Sequence, residues 1–115
     1  MTTFTGYQVA TDETAVYPGA GDQESIIALA YVTLGLAGEA GELANKVKKI
    51  LRDQGGEITT ENKVDLEAEL GDVLWYLARV ATQIGTPLAM VAESNIHKLR
   101  NRMIRGVIQG CGDNR

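Results

Sequence analysis

Hydrophobic residues recur through most of the chain at steps of three, four or seven positions, which is the spacing of one face of an α-helix. A first long helix is predicted from about Gln23 to about Arg52, with Asp22 as its N-cap and Gln54-Gly55-Gly56 at its end. Its apolar positions are Leu29, Val32, Leu36, Leu43, Val47 and Ile50. A second long helix is predicted to begin after Thr59 or Thr60 and to end by Gly85. Its predicted core stripe consists of Leu66, Leu70, Val73, Leu77, Val80 and Ile84.

Two shorter helices complete the predicted fold. Thr86-Pro87 is typical of an N-cap followed by proline in the first turn, which predicts a last helix ending near Met103 or Arg105. A short helix is predicted from Phe4 to Glu13, and the tail 106–115 is expected to fray. Because no strand-like alternation of useful length occurs, the fold class is all-α: a helical bundle of two long antiparallel helices, a C-terminal helix and a short N-terminal helix. A chain of 115 residues suits one domain over 1–115, with 1–21 as a lid.

Composition narrows the classes of function. Hydrophobic residues make up 44% of the chain, which favours a folded protein over a disordered one. The net charge is −4, so a nucleic-acid partner is not expected. Without a run of about 18 apolar residues or a secretory signal, the sequence predicts no membrane association and a cytoplasmic location. The single cysteine, Cys111, cannot form an internal disulfide.

One short phrase occurs in both long helices. Glu39-Ala-Gly41-Glu42-Leu43 in the first corresponds to Glu69-Leu-Gly71-Asp72-Val73 in the second. Positions i and i+3 are neighbours on a helix, so each phrase places two carboxylates side by side. If the helices are antiparallel neighbours, all four carboxylates converge at one edge of their interface. Glycine inside a helix costs stability, so Gly41 and Gly71 predict close backbone approach or a packed partner.

A bound cation would relieve the repulsion between these carboxylates. Oxygen ligands without histidine or cysteine favour Mg²⁺, with Mn²⁺ as a second possibility. The alternative is a solvated acidic surface, and Glu42 has Lys46 at i+4 as an ordinary ion-pair partner. A di-iron carboxylate bundle is disfavoured because it needs two Glu-x-x-His motifs, and the one histidine, His97, has Ser94 three residues earlier.

These motifs resemble the MazG-like branch of the all-α nucleoside triphosphate pyrophosphohydrolases. LGLAGEAGEL followed by EAELGDVLWYL is similar to the core of that family, and the segment from Asn95 to Arg102 resembles its Asn, Lys, Arg element. The resemblance covers about residues 24–104. It implies Mg²⁺-dependent hydrolysis of a nucleoside triphosphate, a deoxynucleotide or non-canonical nucleotide, to a monophosphate and pyrophosphate, in a role of cleaning the nucleotide pool.

The resemblance also implies roles for individual residues. The metal ligands would be Glu39, Glu42, Glu69 and Asp72. Lys98 and Arg102 would hold phosphates, with Lys98 also assisting catalysis, and Asn95 would contact the substrate. Tyr76, one turn after Asp72, is the base-stacking candidate, whereas Trp75 is expected to point about 100° away. Many family members have a further Glu where this chain has Gly38, and Asp65 or Glu67 could substitute for it.

Apolar residues on a second face of both long helices predict a homo-oligomer, a dimer or tetramer that completes the bundle. The residues concerned are Leu34, Gly38 and Gly41 on the first helix and Gly71, Leu74, Trp75 and Ala78 on the second. The competing interpretation of the whole sequence is a non-catalytic helical dimerisation or interaction module with an acidic surface.

Overall fold

The computed structural model describes residues 1–106, and within them every regular element is helical, as predicted. The α-helices are α1 (Phe4–Ala10), α2 (Ile26–Asp53), α3 (Thr60–Gln83) and α4 (Leu88–Ile104), and a 3-10 helix, Thr11–Thr14, follows α1. Of the predicted frayed tail, 106–115, only Gly106 is described, and Cys111 lies outside the described residues.

Helices α2 and α3 form the largest interhelical interface, on either side of the short connection 54–59. Ser25, and not the predicted Asp22, is the N-cap of α2, since its hydroxyl accepts a hydrogen bond from the Ala28 N–H. The helix therefore begins three residues after the predicted start at Gln23. The Thr59 hydroxyl caps α3 by accepting from the Asn62 N–H, and the Asn62 side chain accepts from the Thr59 N–H in return. This reciprocal capping confirms one of the two predicted start positions.

The N-terminal segment packs on α3 through a buried polar network around Arg79, a side chain only 1% exposed. The Arg79 guanidinium donates to the Thr11 hydroxyl and to the Tyr17 hydroxyl, both at 3.1 Å, and forms an ion pair with Asp12. It also lies over the Tyr17 ring, 5.6 Å from the centroid. Burial alone would lower the pKa of Arg79, but the hydrogen bonds to Asp12 and Tyr17 raise it above its ordinary value. The arginine thus remains charged inside the protein.

Two glutamines extend this network. Gln83 accepts hydrogen bonds from the Tyr17 hydroxyl and the Gly21 N–H, and donates to the Asp22 carbonyl. Gln8 donates to the Thr86 carbonyl and accepts from the Leu88 N–H at 2.7 Å. The N-cap residue of α4 is Pro87, without a side-chain cap, so the prediction that Thr86 caps this helix is wrong. A distant residue, Gln8, satisfies the first turn instead.

The apolar interior is small and lies where α2, α3 and the N-terminal segment meet. Tyr17, Ala28 and Val32 form one buried cluster, and Ala78, Ala81 and Leu88 form another. The predicted stripe of α3 is only partly correct, because Leu70, Leu77 and Ile84 are exposed. These three residues follow one another at intervals of seven, so they lie along one line of the helix. No other described part of the chain covers that line.

Helix α4 diverges from the α2–α3 pair. It contacts α1 and α3 but makes no contact with α2 among the described residues. The radius of gyration is 16.9 Å, against about 13 Å for a compact protein of this size. Ile96, Leu99 and Met103 on α4 are exposed.

Helix α2 is long and apolar enough to cross a membrane by length and composition alone, a property that the apolar pattern of the sequence did not predict. The absence of membrane association therefore remains a prediction.

Candidate functional site

Three of the four predicted metal ligands come together at the interface of the two long helices. Oxygen atoms of Glu39 on α2 and of Glu69 and Asp72 on α3 lie within 4.8 Å of one another. We call these three residues the carboxylate cluster. Glu42 is exposed and is not part of it, although its charge still acts on Glu39. The helical repeat thus predicted the position of the site, while Glu42 remains one turn away from the cluster.

Glu69 is the most enclosed member, with its side chain only 13% exposed. Its Oε1 atom accepts a hydrogen bond from the Lys46 ammonium at 2.9 Å, whereas Oε2 is buried without a hydrogen-bond partner. An unpaired buried carboxylate oxygen is costly for a folded protein. The pKa of Glu39 is raised, first by burial and then by the charges of Asp72 and Glu69. Both observations indicate that the negative charge of the cluster exceeds the positive charge that Lys46 brings to it.

The carboxylate cluster fits a hard divalent cation. Octahedral Mg²⁺ holds oxygens at about 2.1 Å, so that opposite ligands are about 4.2 Å apart. Adjacent ligands are about 3.0 Å apart in the same geometry, so three atoms within 4.8 Å of one another need to move closer together to share one ion. The buried Oε2 of Glu69 would gain the partner that it lacks. The donor set of three carboxylates contains no nitrogen or sulfur, which favours Mg²⁺ or Mn²⁺ over zinc or copper.

A cavity of about 320 Å³ lies directly beside the cluster. Its lining residues are Thr14, Glu39, Asp72, Trp75 and Tyr76. The Trp75 indole N–H donates to the Thr14 hydroxyl at 2.8 Å, and the Trp75 and Tyr76 rings meet edge to face with centroids 5.0 Å apart. The expectation that Trp75 points away from the site is therefore wrong. Both aromatic residues border the same cavity as two of the carboxylates.

Tyr76 reaches this position because α2 has a glycine opposite it. A Cβ atom at Gly35 would lie 2.2 Å from the Tyr76 ring, so only glycine leaves room there. At Gly41 and Gly71, by contrast, an added Cβ would meet nothing within 4 Å. The prediction of close approach at those two glycines is wrong within the described chain. Sequence reasoning missed Gly35, although it lies one turn before Glu39 on the same face.

The predicted phosphate-binding residues are not assembled with the cluster in one chain. Asn95, Lys98 and Arg102 lie on α4, which does not contact α2, and Arg102 is buried. The cation found beside the carboxylates is Lys46, which pairs across the interface with Glu69 and not with Glu42 as its spacing suggested. Asp65 and Glu67 are exposed and are not members of the cluster, so neither replaces the carboxylate absent at Gly38.

The N-terminal segment forms a wall of the site. Thr14 lines the cavity, and Tyr17 packs in the core, where its ring stacks on Tyr31 with centroids 5.3 Å apart. Phe4 and Tyr7 line a different cavity with Leu74. Phe4, Tyr7 and Tyr17 thus do not line the cavity beside the carboxylate cluster, and a lid formed by 1–21 remains a prediction. The residue of this segment that does line the cavity is Thr14.

The protein is thus all-helical, with a group of carboxylates between its two long helices that could hold a metal ion. The model of the MazG nucleotide pyrophosphohydrolase domain matches residues 29–105, which is most of the chain. The chain belongs to this family. It is also 62% identical over 109 residues to the Gene 37 protein of Mycobacterium phage L5, covering 95% of this chain and 96% of that protein. No solved structure matches it.

Proposed function

We propose that the protein hydrolyses a nucleoside triphosphate between the α and β phosphates, giving a monophosphate and pyrophosphate. The observation that carries this proposal is the carboxylate cluster with its unpaired Glu69 oxygen beside an aromatic cavity. Membership of the MazG family supports the same reaction. We propose a deoxynucleotide or non-canonical nucleotide as substrate, and cleaning of the nucleotide pool in the cytoplasm as the role.

Different residues of the chain would bind the metal ion and contact the nucleotide in this reaction. Glu39, Glu69 and Asp72 would hold Mg²⁺, and we propose Glu42, three residues after Glu39 on α2, as a fourth ligand. The cation supplies positive charge for the phosphate oxygens and lowers the pKa of water. Trp75 and Tyr76 offer ring edges and faces to the base or sugar, and the Thr14–Trp75 hydrogen bond fixes the indole orientation. Glu39 and Asp72 line the cavity, so a cation that they hold would meet the reacting phosphate there.

A panel of nucleoside triphosphates incubated with Mg²⁺ tests this function. We expect at least one nucleotide to yield monophosphate and pyrophosphate, resolved by anion-exchange chromatography. A phosphatase acting at the end of the tail would release orthophosphate and leave a diphosphate. A non-catalytic interaction module would leave the whole panel intact. Either of these outcomes contradicts the proposal.

We also propose that the protein is a dimer or tetramer. The exposed line of Leu70, Leu77 and Ile84 and the apolar residues of α4 resemble an interface without its partner. A Cβ atom added at Gly41 or Gly71 would also meet nothing within 4 Å in the described part of the chain. Trp75 and Ala78, by contrast, are partly or fully covered by their own chain, which corrects their assignment to the second face. A monomeric mass in light scattering at micromolar concentration would contradict this prediction.

Assembly would also explain how α4 contributes. Because α4 diverges from α2 within one chain, we propose that the exposed Lys98 reaches the phosphates bound by a neighbouring copy, whereas Arg102 is buried in its own chain. Mixing two inactive variants, Asp72→Asn and Lys98→Ala, should then restore part of the activity, since some mixed sites carry both intact residues. Homogeneous samples of each variant are the controls. No recovery after verified subunit exchange would show that Lys98 does not serve a neighbouring copy.

A further inference from the structure

Lys46 is the one basic side chain that the described structure pairs with the carboxylate cluster. Its ammonium lies 2.9 Å from Glu69 Oε1 and bridges α2 to α3. Hydrogen bonding to Glu69 is the leading cause that raises the pKa of Lys46, with smaller contributions from burial, which lowers it, and from Asp65 and Glu42. One ammonium faces three clustered carboxylates, so the positive charge remains insufficient.

A divalent cation and Lys46 would compete for the same carboxylate. Oxygen atoms of Glu69 must turn toward the cation, and an ammonium within a few ångströms of a doubly charged ion is repelled by it. Glu69 Oε2 is free to bind, but Oε1 is already taken by Lys46. A cation bound through Oε2 would therefore repel the Lys46 ammonium and weaken its ion pair with Oε1.

The surroundings of Lys46 leave room for its side chain to move away from Glu69. Its side chain is 35% exposed and has a flexible four-carbon stem. It also lines an open cavity of about 420 Å³ where the ends of α2 and α3 meet. The other lining residues are Lys49, Ile50, Asp53, Gln54, Asn62, Asp65 and Leu66. Lys46 is thus situated between the carboxylate cluster and a space wide enough for phosphate groups.

We propose that Lys46 is a tethered counter-ion, which holds Glu69 in the metal-free protein and contacts a phosphate of the nucleotide once a divalent cation has displaced it. This inference rests on the proposed function and adds to it a residue on α2. Lysine is suited to this exchange, since its ammonium is a compact charge on a flexible stem that can pair with either a carboxylate or a phosphate. The positive charge is present at the cluster before the metal arrives and remains available afterwards for the substrate.

Such a role predicts opposite effects on two affinities. Removing the ammonium should tighten binding of the metal alone, because the competitor for Glu69 is gone. It should weaken binding of pyrophosphate in the presence of metal, because a phosphate contact is gone. An ion pair that served only to join α2 to α3 would lower stability without this reversal of sign.

Calorimetric titration of Mn²⁺ into the wild type and the Lys46→Met and Lys48→Met variants tests the first effect. Lys48 is exposed on the same helix, so its variant removes the same charge without touching Glu69. We expect Lys46→Met to bind Mn²⁺ about three- to tenfold more tightly, and Lys48→Met to change the affinity less than about twofold. Thermal melting of each variant verifies that it is folded.

Pyrophosphate titrated into the Mn²⁺-saturated proteins tests the second effect. Lys46→Met should bind it at least about fivefold more weakly than the wild type, and Lys46→Arg, which keeps the charge, should retain most of the affinity. If Lys46→Met behaves as Lys48→Met does in both titrations, the inference is overturned while the proposed function stands. If the wild type does not bind Mn²⁺, or if Asp72→Asn binds it equally well, both are overturned.

Discussion

Two groups of charged side chains involve α3, and in both of them charge is removed from water. The groups differ in how far neighbouring side chains compensate that charge. Arg79 is 1% exposed, and its guanidinium is shared among Asp12, Thr11 and Tyr17. The carboxylate cluster, two turns earlier, gathers three acidic groups around one ammonium and leaves Glu69 Oε2 without a partner. The first group is satisfied by the chain itself, whereas the second lacks positive charge.

This difference separates a structural charge from a functional one. Buried charges are tolerated when hydrogen bonds and an opposite charge meet them, as at Arg79. A cluster with an unsatisfied oxygen among the described residues calls for a partner such as water or an ion. In the function proposed above, that partner is a divalent cation that binds a nucleotide. The following predictions test whether the two groups differ in this way.

The largest expected effect is on activity. Asp72→Asn keeps the shape of the side chain but removes one negative charge from the cluster, and we expect the turnover rate to fall by about 100-fold or more. Glu67→Gln is the matched control, because Glu67 is an exposed acid on the same helix outside the cluster. Its steady-state kinetics should match those of the wild type. Full activity in Asp72→Asn would show that the carboxylate cluster takes no part in the reaction.

The next effect is on stability. Arg79→Met should lower the free energy of unfolding by about 3 kcal/mol, because Thr11, Tyr17 and Asp12 lose their shared donor. Arg52→Met is the control: Arg52 pairs with Asp53 on the surface, where water screens the ion pair, so its loss should change the free energy of unfolding far less. Urea denaturation measures both values. Equal effects would mean that the buried network does not secure the N-terminal segment.

A smaller effect concerns the metal. A cation that binds only the folded cluster at 100 times its Kd adds about 2.7 kcal/mol to stability, a rise in Tm on the order of 10 °C. Glu69→Gln should shrink this Mg²⁺-dependent rise while relieving repulsion in the metal-free protein. In Arg79→Met the rise should persist, although its starting Tm is lower. An unchanged response in Glu69→Gln would show that Glu69 is not a ligand.

The sequence predicted the elements that depend on local chemistry. The helical period gave the four helices, and the spacing Glu39 to Glu42 and Glu69 to Asp72 placed the acidic site at the α2–α3 interface. Features that depend on distant contacts were missed. The ion pair of Lys46 joins two helices, and Gln8 caps α4 from far away in the chain. Neither leaves a periodic signal in the sequence.

Burial was also predicted only in part, for a physical reason. The stripe on α3 was assigned to one core, but Leu70, Leu77 and Ile84 are exposed in the single chain. Hydrophobic periodicity marks a face that avoids water without indicating which partner covers it. The notch at Gly35 was missed for a related reason, since a glycine shows its purpose only when the Tyr76 ring opposite it is located.

Hydrolysis in ¹⁸O-labelled water tests the central claim most directly. With Mg²⁺ held by Glu39, Glu69 and Asp72, water should attack the α phosphorus, so that pyrophosphate leaves as a unit. Mass spectrometry should therefore find one ¹⁸O atom in the nucleoside monophosphate and none in the pyrophosphate after a single turnover. Label in the pyrophosphate would place the attack on the β phosphorus, and a labelled orthophosphate with a nucleoside diphosphate would contradict the proposed reaction altogether.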